Sequence, residues 1–159
     1  MDTIELVNFK DLTFTEKVMV LSWRNNPHIK KWMYNTQTIP LKEHLQFIDT
    51  LKNSKDKQYF VVKEKEHYLG VIDFCNITKE SLEIGLYKNP NTHNVGKVLL
   101  TTILNYSFEV LKVNIVLSEV FESNKKAYDL YISIGFKPFS SKIINNKKVI
   151  CMELENENR

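Results

Sequence analysis

The chain has 159 residues, 43% hydrophobic and 26% charged, with a formal net charge of +3. That length is enough for one domain with a real core, without metal or disulfide staples. The weak, evenly spread positive charge argues against a nucleic-acid partner and suits an anionic small ligand, and no apolar run approaches the roughly 18 residues of a membrane span.

Ile4 to Phe9 alternates apolar and polar residues and reads as a first strand, not as a signal peptide. A helix opens near Thr15, carries Val18, Leu21 and Trp23 at helical spacing, and stops before Pro27, which disfavours helix in the residue ahead of it. A short helix is predicted over His28 to Met33. A third follows Pro40, with Leu41, Leu45, Ile48 and Leu51 as its apolar face.

The period then shortens to two. Tyr59 to Val62, Tyr68 to Phe74 and Leu82 to Tyr87 are rich in β-branched and aromatic residues and are separated by polar turns, which predicts an antiparallel meander. After Asn89-Pro90-Asn91 comes an amphipathic helix whose face is Val95, Val98, Leu99, Thr102, Ile103 and Tyr106. Asn114 to Phe121 is a further strand. Ser123 or Asn124 caps a helix that Gly135 ends, and a hairpin closes the chain around Asn145-Asn146. The order β-α-α-β-β-β-α-β-α-β-β predicts a mixed sheet with helices on its faces. Residues 1–155 read as one domain and 156–159 as a frayed tail.

Two segments carry chemistry. In Glu83 to Val98 a strand runs through a polar loop into a helix whose first turn holds Gly96. Free amides at a helix N-terminus, backed by its dipole, bind phosphate, and Lys97 adds charge. A helix-opening glycine is also a common packing device. In Ser123 to Phe136, Asn124, Ala127, Leu130 and Tyr131 share one helical face, as they also would in an ordinary core helix.

In this order and spacing the two segments resemble the acetyl-CoA-binding motifs of the GNAT N-acetyltransferases. The second matches that family's Asn-x-x-Ala-x-x-Leu-Tyr-x-x-x-Gly-Phe pattern from Asn124 to Phe136, while the first departs from its pattern at His93 and Val98. The resemblance implies an α/β (α+β) fold with a central, mixed, mostly antiparallel sheet of about seven strands and helices on both faces. It implies acetyl-CoA as cosubstrate, held by Leu86, Tyr87, His93, Asn94, Val95, Gly96, Lys97, Val98, Asn124, Lys126 and Tyr131. Tyr131 becomes the general acid, since an ordinary phenol stays protonated at neutral pH. Glu83 becomes a candidate base, with a solvent-facing strand carboxylate as the equally weighted alternative and His44 as a second candidate, and the backbone near Leu86-Tyr87 an oxyanion donor.

Trp23 to Pro27, Lys31 to Met33, His44 to Phe47, Gly70 to Phe74 and Gly85 to Pro90 resemble a narrower group within that family. Its members acetylate the 4-amino group of UDP-4-amino-4,6-dideoxy-N-acetyl-altrosamine in pseudaminic acid biosynthesis, which serves flagellin or surface glycosylation. The implied substrate contacts are Trp23, Arg24, Asn25, Trp32, His44 and Tyr59. Arg24 would fork onto a diphosphate and the aromatics would stack on uracil or sugar, although each aromatic also fits a core position. A Trp-Arg-Asn-x-Pro helix occurs in ribosomal-protein acetyltransferases too, so a protein N-terminus or another small amine is the rival substrate. A non-catalytic acyl-CoA-binding module is the rival from outside enzymes. Cys75 and Cys151 lack metal or redox spacing and the four histidines lack ligand spacing, which predicts a reduced cytoplasmic protein without metal. A homodimer stays open.

Overall fold

The computed structural model describes residues 3–157, and among these seven strands form one sheet. They are β1 (Ile4–Asn8), β2 (Gln58–Glu64), β3 (His67–Cys75), β4 (Ser81–Lys88), β5 (Ile115–Phe121), β6 (Lys137–Ile144) and β7 (Lys147–Glu155), in the order β1-β2-β3-β4-β5-β7-β6. Every neighbouring pair is antiparallel except β4 and β5. The last hairpin turns on Asn145 and Asn146 with φ of 54° and 62°. Two successive positive φ angles match the right-handed twist of the flanking strands, and asparagine tolerates them.

The helices are α1 (Phe14–Arg24), α2 (Pro27–Lys30), α3 (Leu41–Leu51), α4 (Gly96–Asn105) and α5 (Lys125–Ile134). α1 starts slightly earlier than its apolar spacing predicts, because Thr13 and Glu16 form a reciprocal capping box. α2 is shorter than expected; Asn26 caps it and Pro27 opens it. α4 runs on into a π-helical turn at Tyr106–Val110. Gly135, at φ 116°, ends α5 in a conformation that favours glycine.

Alternation along the strands gives the sheet two separate cores. Phe60, Ile72, Phe74, Leu82, Val116 and Met152 face α4 and α5, while Val61 and Val71 face α1 and α3 with Phe9, Val20, Trp23 and Ile48. Two apolar faces differ from the sequence reading. In α4 the inward stripe is Leu99, Leu100, Ile103 and then Ser107, with Val98 37% exposed. In α3 it is His44, Ile48 and Leu51, with Leu41 exposed. In both helices the true stripe lies beside the expected one, and a polar residue occupies part of it. The backbone of Asn156 donates to the Asn114 carbonyl, so order extends one residue into the expected tail. Residues 158 and 159 of that tail lie outside the described residues.

Gly70 is the tightest glycine in the sheet: an added Cβ would lie 2.5 Å from the Tyr87 carbonyl oxygen and 3.0 Å from Leu99 Cδ1. Backbone oxygen cannot swing aside, so Gly70→Ala overpacks the junction of β3, β4 and α4. We expect a loss of about 1–3 kcal/mol in urea unfolding. A variant as stable as the parent would show that β4 shifts freely there.

Candidate active site

The site begins with a pairing that stops early. β4 and β5 pair only at Ser81–Ile115, Leu82–Val116 and Glu83–Leu117. Beyond them β4 stays bonded to β3 as far as Lys88, and β5 to β7 as far as Phe121. The sheet therefore splits between Ile84–Lys88 and Ser118–Phe121. Asn89 donates its amide to Leu69, and antiparallel backbone groups alternate in direction. Tyr87, Gly85 and Glu83 thus turn their amides toward β3, and Leu86 turns its amide into the split. Of the two residues expected to offer an oxyanion donor, Leu86 has the right orientation.

On the α4–α5 side, the split leads to the start of α4. The first helical bond there is Leu99 N–H to the Val95 carbonyl, and no side chain caps the end. The amides of Gly96, Lys97 and Val98 precede that first donor and so have no partner within the helix, as an anion-binding helix start requires. The loop before it is locally fixed: Thr92 donates its amide to the Asn89 carbonyl, and Lys88 Nζ reaches the Thr92 carbonyl at 3.0 Å. His93, Asn94, Lys97 and Val98 are exposed around it. Gly96 has a packing reason of its own, since a Cβ would meet Leu130 Cδ2 of α5 at 3.1 Å. Asn124 caps α5, and Lys126 is exposed on its first turn.

Tyr131, from α5, is buried with its ring edge-on to Phe136. Burial raises its pKa. The Ser118 hydroxyl works weakly against that shift although it makes no hydrogen bond of standard geometry, and Asp73 reinforces it. Tyr131 is thus held as a protonated phenol at physiological pH.

The opposite face carries Tyr59, Asp73, Cys75, Glu83, Gly85, Tyr87 and Glu119. Tyr59, Asp73 and Gly85 lie side by side across β2, β3 and β4. Burial raises the Asp73 pKa to about 6, with the Cys75 thiol, 3.7 Å away, opposing slightly. Burial likewise pushes the Cys75 thiol up to about 11, and Tyr59 and Tyr87 are raised, again chiefly by burial with Asp73 second. Arg24 reaches in from the end of α1. Its Nη2 donates to the Asn35 carbonyl at 2.9 Å, while Nη1 is buried without a partner among the described residues. Burial lowers its pKa and the nearby Tyr87 and Tyr59 offset this. Across the split, Glu119 accepts from the Tyr34 hydroxyl and pairs with Lys142 Nζ at 2.6 Å. Glu83 lies close enough to act on both Tyr34 and Lys142. Beyond Tyr34, a cavity of about 370 Å³ is lined by Lys31, Asn35, Phe121, Asn145 and Lys147 among others.

Three expected substrate contacts have other roles. Trp23 is 5% exposed and packs edge-on to Tyr68 in the core under α1. Asn25 clasps Ile39 through both ends of its amide, at 2.8 and 2.9 Å, and so ties the 26–39 segment to α1. His44 is buried against α1 and donates from Nε2 to the Lys17 carbonyl at 3.0 Å. Trp32 is half-buried under Lys31, and Tyr59 is wedged between Phe9 and Phe47 with its hydroxyl toward Cys75. The sequence reading assigned no role to Asp73 or Glu119. Asp73 is visible as an acidic residue within the apolar run Leu69 to Phe74, but only strand pairing shows that Gly85 makes room for it.

A model of the acetyltransferase (GNAT) domain matches residues 8–137. Two proteins named acetyltransferase PseH, from two strains of Campylobacter jejuni subsp. jejuni, are each 44% identical over 128 residues, covering 80% of this chain and 81% of theirs. The crystal structure of Campylobacter jejuni N-acetyltransferase PseH in complex with acetyl coenzyme A superposes with a TM-score of 0.82 at 36% identity, over 98% of this chain and all of that one. A Vibrio cholerae spermidine N-acetyltransferase in complex with CoA and spermine reaches a TM-score of 0.86 at 20% identity, over 96% and 95% of the two chains, a likeness of fold alone.

His44 gives a pH signature. Burial first, and the Lys17 ammonium in addition, lower its pKa, against a backbone bond that raises it. The unfolded chain therefore takes up a proton at higher pH than the folded one, and the His44 contribution to stability is lost as pH falls below about 6.5. Asp73, raised by folding, works in the opposite sense over an overlapping range. We expect the acid-side loss in urea stability to shrink in His44→Gln relative to the parent; an unchanged difference between pH 5 and 7 would contradict the assignment.

Proposed function

The chain belongs to the GNAT acetyltransferase family, and from that premise we propose that it moves the acetyl group of acetyl-CoA onto the 4-amino group of UDP-4-amino-4,6-dideoxy-N-acetyl-altrosamine. The reading places it in the cytoplasm, in the pathway to pseudaminic acid for flagellin or surface glycosylation. The likeness to the PseH acetyltransferases supports the pathway. The observation that carries the substrate class is Arg24, whose guanidinium has one prong anchored to Asn35 and the other buried without a hydrogen-bond partner among the described residues. A buried, unpaired donor on a permanent cation is costly and is relieved by an anion, and a diphosphate suits the planar fork.

In this reading the two faces divide the work. The amides at the start of α4 hold the cofactor's diphosphate, with His93, Asn94, Val95 and Lys97 around it and Asn124 and Lys126 at the start of α5. Leu86 N–H donates to the acetyl oxygen as negative charge develops there. Tyr131 gives its proton to the departing thiolate. The amine enters from the opposite face, where Asp73, Glu83 and Glu119 provide carboxyl groups and Arg24 and Tyr59 meet the rest of the nucleotide sugar.

The direct test is thiol release from acetyl-CoA. We expect turnover with the UDP-4-amino sugar and none with ribosomal-protein N-termini or spermidine; the reverse pattern would overturn the substrate assignment. Tyr131→Phe should turn over roughly 10²–10⁴-fold more slowly while still binding acetyl-CoA. Arg24→Lys keeps the charge and loses one prong. It should raise KM for the sugar about tenfold or more, in line with ~1.5–3 kcal/mol for a charged hydrogen bond, with acetyl-CoA affinity unchanged in calorimetry. A KM equal to the parent's would remove Arg24 from the substrate site.

A further inference from the structure

The acyl acceptor of this reaction is a primary amine, an ammonium ion in solution, and it must lose a proton before it can attack. Three carboxylates share the amine face. Glu119 is committed to Tyr34 and Lys142, and Glu83 lies beside the same pair. Asp73 is differently placed. It sits at the middle of the sheet, one strand in from the split, and its carboxylate covers Gly85: a Cβ on that glycine would fall 2.6 Å from Oδ2 and 3.0 Å from Oδ1. β4 thus lacks a side chain where the carboxylate needs the space. The Cys75 thiol approaches Asp73 only at a long 3.7 Å, and the residue keeps some access to solvent. No cation pairs with it among the described residues.

Building on the acetyltransferase reading above, we propose that Asp73, seated over Gly85, is the group that takes the proton from the substrate ammonium. Asp73 carboxylate and R–NH3+ become carboxylic acid and R–NH2. The amine nitrogen forms a bond to the thioester carbon and the carbon–sulfur bond breaks. The sulfur receives the Tyr131 proton, and the second proton shed by nitrogen restores the phenol. Asp73 then releases its proton to water, so the sum is amide, free thiol and one proton. The neighbours favour this role. Tyr59 from β2, Cys75 on β3, Tyr87 from β4 and Tyr131 from α5 are all neutral at physiological pH. Of the cations on this face, Arg24 from α1 faces Tyr87 and Tyr59, and Lys142 from β6 pairs with Glu119. A carboxyl among neutral groups is a better base than one in an ion pair, and its pKa, raised to about 6, is closer to that of an efficient general base than an ordinary carboxylate's.

Four variants, Asp73→Asn, Gly85→Ala, Glu83→Gln and Glu119→Gln, test the assignment, with acetyl-CoA calorimetry and thermal melting to confirm folding. The parent's kcat/KM for the amine it turns over should fall on the acid side with a midpoint near 6. Asp73→Asn should turn over roughly 10²–10⁴-fold more slowly and lose that limb, with acetyl-CoA affinity retained. Gly85→Ala, which leaves the carboxyl intact but pushes it aside, should lower kcat and spare acetyl-CoA binding. Turnover of Asp73→Asn within threefold of the parent, or an acid limb that survives in it and vanishes in Glu83→Gln or Glu119→Gln, would overturn the proposal. A ¹³C-carboxyl NMR titration of the parent needs no substrate. An Asp73 midpoint near 4 would sink the role even if the nucleotide sugar proved to be the substrate. A midpoint near 6 in a parent that rejects that sugar and acetylates another amine would leave Asp73 standing and remove only the sugar.

Discussion

Three residue pairs hold β4 to β5, and the whole site follows from the fact that there are no more. Had the parallel pairing continued past Glu83 and Leu117, the Leu86 amide would be spent on β5 and no route would cross the sheet. The strands can part because each has a full partner on its other side: β3 holds β4 as far as Lys88, and β7 holds β5 as far as Phe121. An interior gap in a sheet normally strands polar backbone groups. Here those groups face a region that a ligand with its own acceptors can fill.

The second organising fact is strand alternation, which sorts side chains to one face or the other. Leu82, Ile84 and Leu86 pack toward α4 and α5, while Glu83, Gly85 and Tyr87 look toward α1 and α3. A single strand thus presents separate sets of side chains to the two faces. Tyr131 and Asp73 come from opposite faces, yet the Asp73 carboxylate adds to the upward shift of the Tyr131 pKa. The proposed acid and base chemistry would need two groups that do not neutralise each other, and the sheet holds these two on separate faces.

Much of this was legible in the chain itself. The seven strands in chain order, the Asn145-Asn146 turn, the Gly135 stop and the face shared by Asn124, Leu130 and Tyr131 each depend on local rules, and each is in place, whereas the predicted order counts two helices before β2 and the structure has three. What was not legible depends on strands distant in sequence. Asp73 and Gly85 are twelve residues apart and become a unit only through pairing. Trp23, Asn25 and His44 carry polar or aromatic groups that suit a ligand equally well. Neighbours met only in the folded state, Tyr68, Ile39 and Lys17, decide that they serve the scaffold. Gly96 is a mixed case, since the glycine expected to allow a close approach to phosphate also makes room for Leu130.

The segment from Asn26 to Ile39 stands apart from the rest. Lys30 to Thr38 braces it internally, and its side-chain fastenings to the remainder include the Asn25 clasp, Arg24 to Asn35, buried Ile29, and the contacts of Tyr34 with Phe121, Glu119 and Asn145. None of these hydrogen bonds and ring contacts involves β4 or the start of α4. Such a strap can be exchanged between relatives as a unit while the thioester-handling half of the molecule keeps its shape. Divergence in acceptor choice on this scaffold would therefore accumulate in the strap, as a new glove fitted to an unchanged hand.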